Sequence, residues 1–168
     1  KLSSKPKIGG LQITDSAIQY VLLGGSPIIN FALRLPPGVL RQGRVIDSDE
    51  FLRILKEFHS LILPDRSSDV VRAMVSLPAE LVYVQSFSVP NISEEKLEEA
   101  SRLNLQMISP IPVRDAYMSY QVVAETQDHY DLLGAFSEKV IVDQYKTLLK
   151  AAGFSPVIFE FPALALAR

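Results

Sequence analysis

The 168 residues are 48% hydrophobic and 21% charged, with a net charge of −2 and no cysteine. A chain this long buries about 70% of its extended surface without staples, and the missing cysteines exclude disulfides, thiolate chemistry and cysteine-based zinc sites, as suits a reducing compartment. No basic block is present to neutralise phosphates, so no nucleic-acid partner is expected, and no apolar run reaches the roughly 18 residues that span a bilayer.

In chain order, Ile8–Ser16 reads as a strand ending in a polar turn and Ile18–Leu23 as a second strand. Gly24-Gly25-Ser26-Pro27 predicts a tight reversal, because glycine takes positive φ at little cost. Ile28–Leu35 returns as a third strand, and Pro36-Pro37-Gly38 breaks it. Val39–Asp47 is a loop or short extended piece. A helix is expected from Asp49 to Leu63, capped by Ser48 or Asp47, with Phe51, Leu55, Phe58 and Ile62 on its buried face. After a polar loop over Pro64–Asp69, the apolar run Val70–Leu77 predicts a central strand covered on both faces, ended by Pro78.

Leu81–Val89 alternates as a strand. The next helix spans Ser93–Ser109, with the Ser93 hydroxyl as N-cap, Glu94 and Glu95 at the positive end of its dipole, and an apolar stripe of Leu97, Ala100, Leu103, Met107 and Ile108. Pro110 and Pro112 stop it, since neither offers an amide donor. Strands at Ala116–Glu125 and Tyr130–Ser137 flank the turn Thr126–His129. A third helix, Glu138–Ala152, packs through Ile141, Tyr145, Leu148, Leu149 and Ala152 and ends at Gly153, a natural left-handed C′ residue. Pro156–Phe161 is a last strand, and Pro162 opens another helix. The chain starts without methionine and closes on Ala-Leu-Ala-Leu-Ala-Arg, which reads as a helix cut short and predicts a piece of a longer protein.

Three antiparallel strands, a helix and a parallel crossover strand form the plan of a ribonuclease H-like half-domain, α/β in class, interrupted by an inserted β-α-β-β group. With its punctuation, this order resembles the type IV pilus assembly protein PilM family, actin-like proteins to which the division protein FtsA is more distantly related. The residues that carry the resemblance run through the chain: Leu35–Val39 with Gly43–Asp47, Val75–Pro78, Glu98–Ala100 through Ile108–Pro112, Tyr117–Val122, Leu148–Phe154 and Pro162–Arg168. The resemblance implies an actin-like subdomain 1A over residues 1–78 plus 138–168 and an inserted subdomain 1C over residues 79–137. The second actin-like lobe is expected outside these residues.

In that family the first hairpin binds ATP, an aspartate organising hydrated Mg²⁺ and a glycine letting backbone amides approach the phosphates. The matching positions here are Gln12, Thr14, Asp15 and Ser16. Gln12 replaces the aspartate with a neutral amide, and Thr14 puts a β-branched side chain where the glycine stood. Ala17 and Gln19 drop a hydroxyl and a cation. The positions predict a degenerate cofactor site and no ATPase; a retained ATP-binding switch with unusual ligands is the alternative reading, and an FtsA-like division protein another. His59 and His129 lack metal-ligand spacing and are expected at the surface. The acidic run Glu94, Glu95, Glu98 and Glu99 is expected to be a solvated face, and neither a nucleophile elbow nor a Walker loop occurs.

The resemblance implies a cytoplasmic scaffold, peripheral to the inner membrane, that binds the cytoplasmic tail of the membrane protein PilN and reaches the membrane only through such partners. Met107, Ile108, Pro110, Ile111 and Pro112 are the candidate partner-binding residues, with core packing as the plain alternative. Contact with other platform proteins and self-association through 1C are further expectations.

Overall fold

A computed structural model describes residues 8–23, 28–64 and 69–160, and for Glu94 the backbone alone. The reversal expected at Gly24–Pro27, most of the Pro64–Asp69 loop and the helix expected from Pro162 lie outside these residues. The chain divides into two compact units, one running to Pro78 and resuming at Asp143–Glu160, the other containing Ala79–Val142.

The first unit carries a five-stranded sheet in the order β10-β6-β1-β2-β3. Its strands are β1 (Gly9–Ile13), β2 (Ala17–Leu22), β3 (Ile29–Arg34), β6 (Val71–Ser76) and β10 (Phe154–Glu160). β1 pairs antiparallel with β2 and β2 with β3, while β6 runs parallel to both β1 and β10. The parallel step is made possible by the crossover helix α1 (Ser48–Ile62). Asp47 is its cap, its carboxylate accepting from the Glu50 amide at 3.0 Å. Pro156 is tolerated in β10 because that strand lies at the sheet edge, where a bulge follows.

Alternation decides the core. Leu11, Ile13, Ile18, Tyr20, Val71, Ala73 and Val75 are buried in one row of the sheet. Gly10, Gln12 and Gln19 on the opposite row are exposed, and Arg72, Met74 and Ser76 are half-buried. The central strand β6 is therefore fully covered on one face only, which corrects the expectation of two covered faces. Helix α1 buries Phe51, Ile54, Leu55, Phe58 and His59, with Ile62 only half-buried. Phe51 meets Tyr145 of helix α3 (Lys139–Ala151) edge to face at 5.8 Å. His59, expected at the surface, is 3% exposed: its ring stands edge-on to Phe154, and Nε2 lies 2.9 Å from the Asp69 carbonyl oxygen. Gly153 closes α3 at φ +92°, and a Cβ there would lie 2.8 Å from His59 Nε2, so backbone sign and space both favour glycine.

Between β3 and α1 the chain forms a small hairpin, β4 (Leu40–Arg41) and β5 (Arg44–Val45). Gln42 and Gly43 both have positive φ, 50° and 74°, the sign that a two-residue type I′ turn demands.

The second unit has a strand, a helix and two strands: β7 (Tyr83–Pro90), α2 (Glu94–Ile108), β8 (Ala116–Glu125) and β9 (His129–Glu138), with α3 starting after β9. The sheet order is β7-β9-β8, all antiparallel. Leu105 of α2 packs with Ile111, Ala116 and Phe136, while Leu97 and Ala100 reach Val89, Tyr130 and Leu132. Leu103 and Met107 are 51% and 84% exposed, so the buried face of α2 runs through Leu97, Ser101, Leu105 and Ile108 rather than along the whole expected stripe. Ser93 sits at the N-cap position, yet its hydroxyl makes no capping bond; its carbonyl instead accepts from the Lys96 and Leu97 amides.

Candidate functional site

The first hairpin is closed by its own side chains. Thr14 and Ala17 exchange bonds: the Thr14 amide donates to the Ala17 carbonyl at 2.9 Å, and the Ala17 amide donates to Thr14 Oγ1 at 3.1 Å. Thr14 Oγ1 also donates to the Ala17 carbonyl at 3.1 Å. A glycine in the place of Thr14 would supply none of the hydroxyl bonds. Asp15 turns away from the hairpin: its two carboxylate oxygens accept from the Gln42 amide at 2.7 Å and the Gly43 amide at 2.8 Å. The Gly43 carbonyl accepts from the buried Tyr145 hydroxyl at 2.6 Å. The β4–β5 turn is thus held on both sides of one residue, Gly43, through its amide and its carbonyl. The Ser16 carbonyl accepts from the Leu35 amide at 2.8 Å, tying the turn to the end of β3.

Gln12 lies apart from this clamp, exposed on the open sheet face and beside an open groove of about 470 Å³. Gln19, Ser76 and Glu160 supply its other polar groups and Gly9 and Gly10 part of its floor. Glu160 is the one charged side chain among the described residues that line it. Among the described residues no group of three His, Asp or Glu side chains is placed to hold a metal ion. The residues expected to form one phosphate hairpin are therefore divided, Gln12 in the groove and Thr14, Asp15 and Ser16 in the turn.

In the second unit the Pro110-Ile111-Pro112 stop forms one wall of a groove of about 620 Å³. Ser109 shapes that stop, its hydroxyl donating to the Ile111 carbonyl at 2.6 Å and accepting from the Ile111 amide at 3.3 Å. Ile111 is 9% exposed, with one side in the core beside Leu105 and Phe136 and the other on the groove. Tyr83 and Val140, 51% and 71% exposed, add apolar surface. Arg114, Asp115, Glu138 and Lys139 form a charge-balanced rim. Lys139 Nζ donates to the Arg114 carbonyl at 2.7 Å and sits 5.8 Å from the Tyr117 ring centre. Of the five candidate partner residues, Pro110, Ile111 and Pro112 line this groove. Ile108 packs into the core cluster beside it, and Met107 points to solvent on α2.

Sequence reasoning missed Tyr83, Lys139 and Val140 as groove residues. A signal existed for Val140: it falls off the buried face of α3 that Ile141, Tyr145 and Leu149 define, so an exposed valine was implied.

A five-stranded mixed sheet in one unit and a three-stranded antiparallel sheet with its helix in the other define a mixed α/β chain, consistent with an actin-like fold. No family model and no curated protein matches the sequence. Among solved structures, the chain is similar to one in a PilM–PilN type IV pilus biogenesis complex, with a TM-score of 0.77 and 22% identity over 95% of this chain and 48% of that one. It is also similar to the cytoplasmic domain of EpsL, an inner membrane component of the type II secretion system of Vibrio cholerae. There the TM-score is 0.55 and the identity 12%, over 94% of this chain and 57% of the other. The chain spans about half the length of each. At these identities the likeness shows a common fold. Among the described residues no helix is long and apolar enough to cross a membrane.

Proposed function

We propose that this chain is part of an actin-like scaffold of a type IV pilus or related secretion platform, and that it takes the cytoplasmic tail of a PilN-like membrane protein in the groove at Pro110–Pro112. In this reading the unit up to Pro78 with Asp143–Glu160 corresponds to subdomain 1A and the unit Ala79–Val142 to 1C. The scaffold is cytoplasmic and peripheral to the inner membrane, held there by its partner. The observation that carries the reading is the fold likeness to a chain from a PilM–PilN complex over 95% of these residues. The groove supports it chemically: exposed apolar side chains beside a rigid proline turn, with both charge signs on the rim, suit a short extended peptide.

The first hairpin serves the fold in this proposal and holds no nucleotide. Both Asp15 carboxylate oxygens are engaged by backbone amides, and among the described residues the lining of the nearby groove holds one carboxylate and no basic side chain. Titration of the chain with a labelled PilN-like tail tests the partner reading. Val140→Asp, which puts a charge on the groove wall at an exposed position, is expected to weaken binding at least tenfold, and Met107→Asp on the exposed side of α2 to leave it unchanged. Equal affinity for the Val140 variant and the parent chain overturns the groove assignment. A thermal upshift with Mg-ATP overturns the nucleotide-free reading of the hairpin.

A further inference from the structure

Strand β8 is an edge of its sheet, hydrogen-bonded on one side to β9 and to no other described strand. Edge strands normally carry some protection: brevity, proline, an inward or outward charge, or a bulge. β8 is ten residues long, AYMSYQVVAE, with no proline and no charge before Glu125. Its one protective device is the bulge between Val122 and Ala124, which leaves the stretch Ala116–Val122 as an open template.

That stretch is self-complementary. Read antiparallel about Tyr120, Met118 faces Val122, Ser119 faces Gln121 and Tyr120 faces itself. Alternation puts Met118, Tyr120 and Val122 on the face that packs with α2, where all three are half-buried, and Ser119 and Gln121 on the other. A second copy related by a twofold axis perpendicular to the sheet would lay apolar against apolar on one face and polar against polar on the other. A self-complementary patch of this kind is what an isologous contact requires. The other edge, β7, lacks the match: centred on Phe87 it sets Gln85 against Val89 and ends in Pro90, which donates no ladder bond.

We propose that β8 pairs antiparallel with β8 of a second copy of this chain, joining two three-stranded sheets into one of six strands. The proposal is independent of the pilus reading and of the Pro110–Pro112 groove.

Sedimentation velocity over a concentration series tests it. The parent chain is expected to move from the mass of one chain to that of two. The double variant Ser119→Lys with Gln121→Lys places each lysine opposite a lysine and is expected to stay at one chain; Ser119→Glu with Gln121→Glu behaves likewise. An equimolar mixture of the two restores the two-chain mass, which a folding defect would not permit. A parent chain that remains single throughout overturns the proposal, leaving the edge to a strand of another protein. So does a dimer that survives in either double variant, or a mixture that stays single. Because the chain has no cysteine, Tyr120→Cys gives a second measurement. It is expected to cross-link to itself under mild oxidation while Val84→Cys on the other edge does not, and the reverse pattern overturns the assignment.

Discussion

Removing the Asp15 carboxylate is the sharpest test of the first hairpin. Its oxygens take the Gln42 and Gly43 amides at 2.7 and 2.8 Å, one in an exposed and one in a part-buried setting. A hydrogen bond to a charged group contributes about 1.5–3 kcal/mol, and water can replace the exposed one in the variant, so Asp15→Ala is expected to cost about 2–3 kcal/mol in total. Asp15→Asn keeps one acceptor and turns an N–H donor towards the other amide, so it recovers at most half of the loss. Tyr145→Phe removes the donor to the Gly43 carbonyl and leaves a buried acceptor unpaired, at about 1–2 kcal/mol. Because both side chains hold one residue, Gly43, their effects should couple by about 0.5–1 kcal/mol in a double-mutant cycle. The assay is urea unfolding followed by circular dichroism, with amide exchange at Gln42 and Gly43 as the local readout. Both amides should lose protection in Asp15→Ala. A variant within about 0.5 kcal/mol of the parent, the ordinary range for an uninvolved surface position, with both amides still protected, would refute the clamp.

Three further outcomes rest on single positions. The Ser101 hydroxyl is fully buried with no hydrogen-bond partner among the described residues, so Ser101→Ala should raise stability by about 1 kcal/mol in the same unfolding assay. At Gly134 an added Cβ lies 2.6 Å from Leu105 Cδ2 and 3.3 Å from Phe87, so Gly134→Ala should lower stability by about 1–3 kcal/mol by overpacking α2 against the sheet, read as a lower denaturation midpoint. Gly153→Ala meets a φ of +92° and the His59 ring together, and is expected to cost at least about 1–2 kcal/mol, with near-ultraviolet dichroism reporting the disturbed Phe154–His59 contact.

Much of the fold was legible because local signals were strong. Proline and glycine punctuation, period-two alternation in β7, and the proline stop after α2 each act within a few residues, and the helices fall within a residue or two of their expected bounds. The buried face of α2 was less legible. Apolar residues at positions 97, 100, 103, 105, 107 and 108 allow more than one stripe, and the choice was made by what lay beneath. Gly134 in β9 leaves room for Leu105, and Leu103 and Met107 were turned out to solvent. His59 carries no local mark of burial; Phe154 and the Asp69 carbonyl, supplied by other elements, make its interior position satisfactory.

The first hairpin shows the same division most clearly. Residue types alone tell that Gln12 offers no anionic ligand and Thr14 no glycine-like backbone freedom, because ligand charge and backbone freedom are properties of the residue itself. The role of Asp15 was beyond sequence reasoning, since its partners are 27 and 28 positions away and meet it only when the β4–β5 turn folds back on the β1–β2 turn. Strand periods, helix stops and the chemistry each side chain can offer were therefore determined by the sequence itself. Which side chain covers which face, and which carboxylate is engaged, was decided by tertiary structure, because burial and hydrogen bonding depend on neighbours that chain order does not bring together.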